Sequence, residues 1–128
     1  MKMQMTNTKL LWRNKMTNKW NPEVGDKAAV CHYSDVEPCT VIRRTEKFVW
    51  VQMDSYKIDP DWKPDMREGG FAFHTVNNHD QKHIITRNEK GFIRRFGVRK
   101  DGHWYASGQR YGANYLTKGW RRFHDYNF

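Results

Sequence analysis

Apolar and polar positions alternate with a period of two along most of this chain, and turn-forming residues cut the alternation into short pieces. Val24-Gly25-Asp26 opens the first piece as a turn. Over residues 27–33, Ala29, Cys31 and Tyr33 fall on one face and Ala28, Val30 and His32 on the other, the pattern of a strand. Ser34–Pro38 is turn material, and residues 39–44 are a β-branched, apolar second strand. A third strand, residues 48–53, sets Phe48, Trp50 and Gln52 against Val49, Val51 and Met53. Short strands joined by tight turns predict an antiparallel meander. Alternation returns at residues 71–76, 84–87, 92–98 and 103–107. Asn88–Gly91 reads as a hairpin turn whose glycine supplies a positive φ, and Arg99–Gly102 as another, with the strong Asp-Gly signal. The whole predicts a mainly β domain, a small antiparallel barrel or sandwich, with helix under a fifth of the chain.

The alternation fails in two places. Residues 1–22 form a basic arm, in which Trp12, Met16 and Trp20 recur at the spacing of a short helix that Pro22 would stop. A helix this short is marginal alone, so the arm orders only by docking. Met16 stands directly before the body and is a second possible translation start. Residues 54–70 carry Asp59-Pro60, Lys63-Pro64 and Gly69-Gly70 among five acids, and predict a long loop within a single domain spanning residues 23–128. Apolar residues make up only 38% of the chain, below the usual 45–50% or so, but 15% are aromatic, and large rings can hold a small β-core together.

Charge divides the chain in three. Residues 1–22 carry five bases and no acid, residues 23–68 ten acids against seven bases, and residues 69–128 eleven bases against four acids, for a net of +9. The last segment interleaves its cations with rings. Arg94, Arg95, Arg99, Lys100, Arg110, Lys118, Arg121 and Arg122 stand among aromatics that include Tyr111 and Trp120. Cations neutralise phosphate, and flat rings stack unpaired bases, so this set is the candidate nucleic-acid surface. Lys9, Arg13, Lys15 and Lys19 on the arm would add a second contact. The competing structural reading is an aromatic barrel core with a solvated basic exterior.

Other chemistry has less support. There is no Gly-x-Ser-x-Gly, Walker loop or dinucleotide fingerprint, so no catalytic residue and no cofactor are assigned. Asp59, Asp61 and Asp65 in the proline-broken loop read as solvated acids rather than a metal-dependent nuclease site. His74, His79 and His83 would need their loop to curl round a zinc ion, and surface histidines are the simpler reading, so no metal is expected. Cys31 and Cys39 flank the 34–38 turn and could face each other across a hairpin. With no exporting signal in view, two reduced thiols in a cytoplasmic protein are expected. No apolar run approaches the roughly 18 residues of a membrane span.

Val24-Gly25-Asp26, Tyr33-Ser34-Asp35 and Pro38-Cys39-Thr40-Val41-Ile42 resemble the opening of small phage and prophage proteins with an SH3-like β-barrel. Phe96–Trp104, Gly119-Trp120-Arg121-Arg122 and Tyr126-Asn127-Phe128 are similar to their later parts. The resemblance spans residues 24–128 and implies an SH3-like barrel in a viral accessory protein, in the host cytoplasm, with no catalytic residue to carry over. Such an origin makes host takeover or counter-defence the expected setting, including an anti-CRISPR-like role in which a guide or target channel is occupied. Two functions follow. The first is a non-enzymatic module binding nucleic acid or a host nucleoprotein complex through the basic aromatic surface. The alternative is a protein-interaction module that docks a host or phage protein in an exposed aromatic groove.

Overall fold

The meander forms, and the sheet it starts closes on itself. In the computed structural model, which describes residues 20–69, 72–108 and 114–127, β1 (Lys27–Cys31), β2 (Asp35–Arg44) and β3 (Phe48–Met53) pair antiparallel in sequence. β8 (Ile93–Val98) adds to β3, β9 (Trp104–Ala106) to β8, and β10 (Tyr115–Lys118) to β9. The free edge of β10 then pairs with β1, which gives a six-stranded antiparallel barrel. Among the described residues there is no α-helix, only a 3-10 turn at Asn78–Asp80. None of their helices is long and apolar enough to cross a membrane.

Period-two alternation fills the interior. Ala28, Val30, Cys39, Val41, Val49, Val51, Phe96, Trp104, Ala106 and Leu116 form one buried cluster. The small residues Ala28, Cys39 and Ala106 leave room for the Phe96 and Trp104 rings. β2 carries a bulge at Ile42: Val41 lies opposite Val51, but Arg43 lies opposite Trp50. Strict alternation would send Arg43 inward with Cys39 and Val41. The extra residue turns it out beside Trp50.

Outside the barrel lie two ribbons, each pairing a strand from the segment expected as a loop, residues 54–70, with a strand the alternation predicted. β4 (Ser55–Ile58) pairs with β7 (His83–Thr86), and β5 (Met66–Gly69) pairs with β6 (Ala72–Thr75). The C-terminal strand β11 (Phe123–His124) pairs with Val36 and Asp35 at the start of β2. Beyond it, the Asn127 side chain accepts from the Thr75 amide at 2.8 Å and donates to the Thr75 carbonyl at 3.0 Å. The tail thus ties the β5–β6 ribbon back to the body.

Three local expectations are corrected. Asn88–Gly91 is not a hairpin turn, since β7 and β8 do not pair with each other. The segment lies instead across the end of β3, where Gln52 Nε2 donates to the carbonyls of Glu89 and Gly91 at 2.8 and 3.0 Å. A Cβ at Gly91 would stand 1.9 Å from the Met53 carbonyl oxygen, so close approach explains that glycine. The turn after β1 is only His32–Ser34, with the His32 amide donating to Asp35 O at 2.7 Å, and β2 runs on through Pro38. Pro38 offers its carbonyl to the Asp54 amide, so its missing N–H faces the gap between β3 and β11, where no strand needs it. Finally, Cys31 lies opposite Val36 and Cys39 opposite Ala28, so the thiols do not face each other; both are free and buried. The expected arm helix lies outside the described residues, apart from Trp20, which packs on the core.

Candidate nucleic-acid interface

The outward positions of β2, β3, β8 and β9 make one face. Register sets Arg43, Trp50 and Arg95 side by side in one row, and Phe48, Gly97 and Tyr105 in the next. The guanidinium of Arg43 sits 4.5 Å from the Trp50 ring centroid, that of Arg95 4.7 Å from Phe48, and that of Arg99 4.4 Å from Tyr105. Phe48 and Trp50 are 6.2 Å apart. A Cβ on Gly97 would lie 3.3 Å from Phe48, so the missing side chain is what lets that ring rest on β8. Neither Arg43 nor Arg95 has an ion-pair partner among the described residues. Both are exposed.

Stacking on a ring uses one plane of the guanidinium. A guanidinium over a ring with no ion-pair partner, as at Arg43 and Arg95, can still offer N–H donors to a phosphate. Seven Lys or Arg groups lie over rings among the described residues, where about two would be ordinary for a chain this size. Not all are alike. Lys27 lies over Trp120, Arg44 over Trp104 and Arg122 over Tyr56, each at a seam between elements rather than on an open face.

The basic residues singled out in the sequence are accordingly dispersed. Arg95 and Arg99 belong to the face just described, and Lys100 follows Arg99 in the exposed turn between β8 and β9. Arg94 takes an inward-pointing position opposite Val51 and is half-buried. Lys118 ends β10, and Arg121 lies over the outer side of β1 and β10, donating to Thr117 Oγ1 at 3.0 Å beside the Cys31 sulfur. Arg122 is tucked against Asp35 at 3.8 Å with its side chain 11% exposed. Trp120 donates its indole N–H to the Cys39 carbonyl at 2.9 Å. Arg110, Tyr111 and the arm residues Lys9, Arg13, Lys15 and Lys19 lie outside the described residues. Arg43, Phe48 and Trp50 were not singled out for this surface, whereas Tyr105 was one of the rings interleaved with its cations. The alternation did place Phe48 and Trp50 together, but nothing in the sequence marks the bulge that brings Arg43 to them.

Along the face, Tyr105 stands opposite Tyr115 on β10, and Tyr115 opposite Cys31 on β1. A cleft of about 1040 Å³ opens there, with Tyr33, Arg99, Lys100, Tyr105, Asn114 and Tyr115 among its lining. The Tyr105 hydroxyl donates to Asp101 at 2.6 Å. The neighbouring Cys31, and then burial, push the Tyr115 hydroxyl above the usual tyrosine range, so it keeps its proton at neutral pH.

The thiols and histidines form no comparable site. Burial, reinforced by Asp54, pushes the Cys39 thiol far up, which leaves it protonated and unreactive. His79 stacks on Phe123, and His124 contacts Asp35 at 3.0 Å. Among the described residues, no three His, Cys, Asp or Glu side chains gather as a metal would require. No family model, curated protein or solved structure matches the chain, so the reading of this face rests on its own geometry.

Proposed function

We propose that this chain is a nucleic-acid-binding module that acts by binding alone, through the β2–β3–β8–β9 face. Arg43, Arg95 and Arg99 grip phosphates with their in-plane donors, and bases lie on the stacked guanidinium–ring platforms. One observation supports this reading: three guanidiniums lie 4.5, 4.7 and 4.4 Å from the centroids of three rings of one face, and the two on β2 and β8 have no acid to neutralise them among the described residues. The resemblance to small phage and prophage proteins would give such a surface a role in counter-defence, held against a host nucleic acid or nucleoprotein complex. The runner-up is docking of a protein partner, and it draws on the neighbouring pair Phe92 and Ile93, which are 74% and 50% exposed.

Fluorescence anisotropy with labelled single-stranded and duplex oligonucleotides tests the proposal. Three phosphate contacts on a single strand predict a slope of log affinity against log salt near −2, or about an 18-fold loss between 50 and 200 mM salt. Absence of binding to DNA and RNA at about 50 mM, or affinity indifferent to salt, would end the reading and bring the protein-partner function forward.

A further inference from the structure

A groove of about 780 Å³ runs where the turn before β7 meets the β10–β11 connection, and it shares no residue with the arginine-and-ring face. We infer that this groove binds a phosphate monoester with a flat apolar body. The phosphate sits between Lys82, His83 and Arg122, and the body lies against Ile85 and Phe123. The inference goes beyond the nucleic-acid reading and does not depend on it.

Charge points to an anion. Lys82, Arg121 and Arg122 line the groove against one carboxylate among the described lining residues, Asp59, which already accepts from the Asp61 amide at 2.9 Å. Lys82 is exposed and has no ion-pair partner among the described residues. Hydrogen bonding narrows the place. Arg122 donates through Nη1 to the carbonyls of Val36 and Phe123, at 3.5 and 3.4 Å, which ties it to β2 and β11. Its Nε is buried with no acceptor, and Nδ1 of His83 is likewise buried without a partner. Leaving such a group unpaired costs about 1–3 kcal/mol, so a small rotation toward a phosphate oxygen would be favoured. Asp35, which meets Arg122 at 3.8 Å and His124 at 3.0 Å, stands outside the groove lining. The surroundings of His83 are therefore positive: burial first, then Arg122 and His124, hold its pKa below the ordinary value. The rest of the wall is apolar or flat, with Val36, Ile85 and the stacked rings of His79 and Phe123, 6.0 Å apart. Small-molecule sites span about 300–1,000 Å³ and set a few polar groups in such walls, whereas a bare phosphate would leave most of this volume empty.

The deciding experiment is amide NMR on the full chain in phosphate-free buffer, with phenyl phosphate as the probe. Millimolar phenyl phosphate should shift the amides of Lys82, His83 and Phe123. It should also move the titration of the His83 ring to higher pH, because a bound anion favours the charged imidazole. Inorganic phosphate should act on Lys82 and His83 with lower affinity, and phenol, which lacks the charge, should leave both unmoved. Lys82→Ala removes an exposed side chain, so it should fold as the wild type and weaken phenyl phosphate at least about fivefold through the lost charged hydrogen bond. Arg43→Ala with Arg95→Ala should leave the groove affinity as it was. Equal affinity for phenyl and inorganic phosphate would overturn the apolar body. If phenyl phosphate moves none of the three amides, or binds Lys82→Ala as it binds wild type, the groove proposal is overturned, while salt-dependent oligonucleotide binding still supports the face. If the groove responds and no oligonucleotide binds, the face reading falls and the groove stands.

Discussion

The barrel face and the seam beneath the ribbons use arginine in opposite ways. On the face, Arg43 and Arg95 lie on rings in the open. At the seam, Arg87 reaches the fully buried carboxylate of Asp54 at 2.9 Å and also donates to Gln52 Oε1 at 2.8 Å, while Arg122 turns its charge to Asp35. Asp54 further accepts from the Thr40 hydroxyl at 2.6 Å and from the Asn88 amide at 2.9 Å. A charge in the seam is therefore spent on holding β2, β3 and the β7–β8 connection together. On the face, Arg43 and Arg95 have no acid beside them among the described residues. Net charge alone cannot tell these apart, because it counts Arg122 and Arg95 as equals.

Breaking the seam should give the largest effect. Asp54→Ala leaves Arg87, Thr40 and the Asn88 amide without their shared acceptor, and losing one partner of a buried pair costs about 3–5 kcal/mol. At about 4–8 °C per kcal/mol for a domain near this size, thermal denaturation should show a fall of at least about 12 °C. Nucleic-acid affinity of the fraction still folded should be unchanged. A loss of affinity with intact stability would mean that the seam, not the face, meets the ligand. Gly91→Ala strikes the same seam through sterics alone. Its new methyl would meet the Met53 carbonyl at 1.9 Å, and the forced backbone shift should cost about 1–3 kcal/mol in chemical denaturation.

The barrel was legible in the chain wherever a strand has one face inside and one outside. Residues 48–53 and 93–98 announce themselves by alternation and carry part of the core, whereas residues 27–31 were read as a strand too but are buried at every position from Ala28 to Cys31. Only half of each ribbon was legible: residues 71–76 and 84–87 read as strands, where β6 and β7 lie, but β4 was not, since Ser55–Ile58 is exposed at all four positions and so shows no buried face to read. Nor was the closing strand, because Tyr115–Lys118 is four residues long and buries only Leu116. Half of the candidate site failed to appear for a different reason. Its pairs are made across strands, Arg43 with Trp50 and Arg95 with Phe48, and those pairings depend on register and on a bulge that local sequence does not encode. Clustering of cations along the sequence instead pointed to Arg121 and Arg122, whose neighbours turn out to be Thr117 and Asp35.

Changing the face should reverse the pattern of the seam variants. Arg43→Ala with Arg95→Ala removes two phosphate contacts, so the salt slope on a single strand should flatten by about 1.4, and affinity at about 50 mM salt should drop at least tenfold. The lost stacking on Trp50 and Phe48 is worth about 0.5–1 kcal/mol at each exposed site, so the melting temperature should move by only several degrees. Equal losses of stability and affinity would show that these arginines serve the fold, as Arg87 and Arg122 do.

The smallest effect separates the two regions by pH. His83 on β7 lies near Arg122 and His124, and burial first, then those two charges, holds its pKa below the ordinary value of 6.5. The folded protein thus binds a proton at His83 less readily than the unfolded chain does. The sign follows from linkage: there is no penalty well above pH 6.5, and stability falls as pH drops below that value, until the folded-state pKa is passed. Replacing His83 with Asn removes the titrating group, so the melting temperature of the variant should decline less than that of wild type between pH 7.5 and 5.5. The face holds no histidine among the positions that stack, so Arg43→Ala with Arg95→Ala should keep the wild-type pH slope. A slope unchanged in His83→Asn would remove His83 as the acid-sensitive point of the seam.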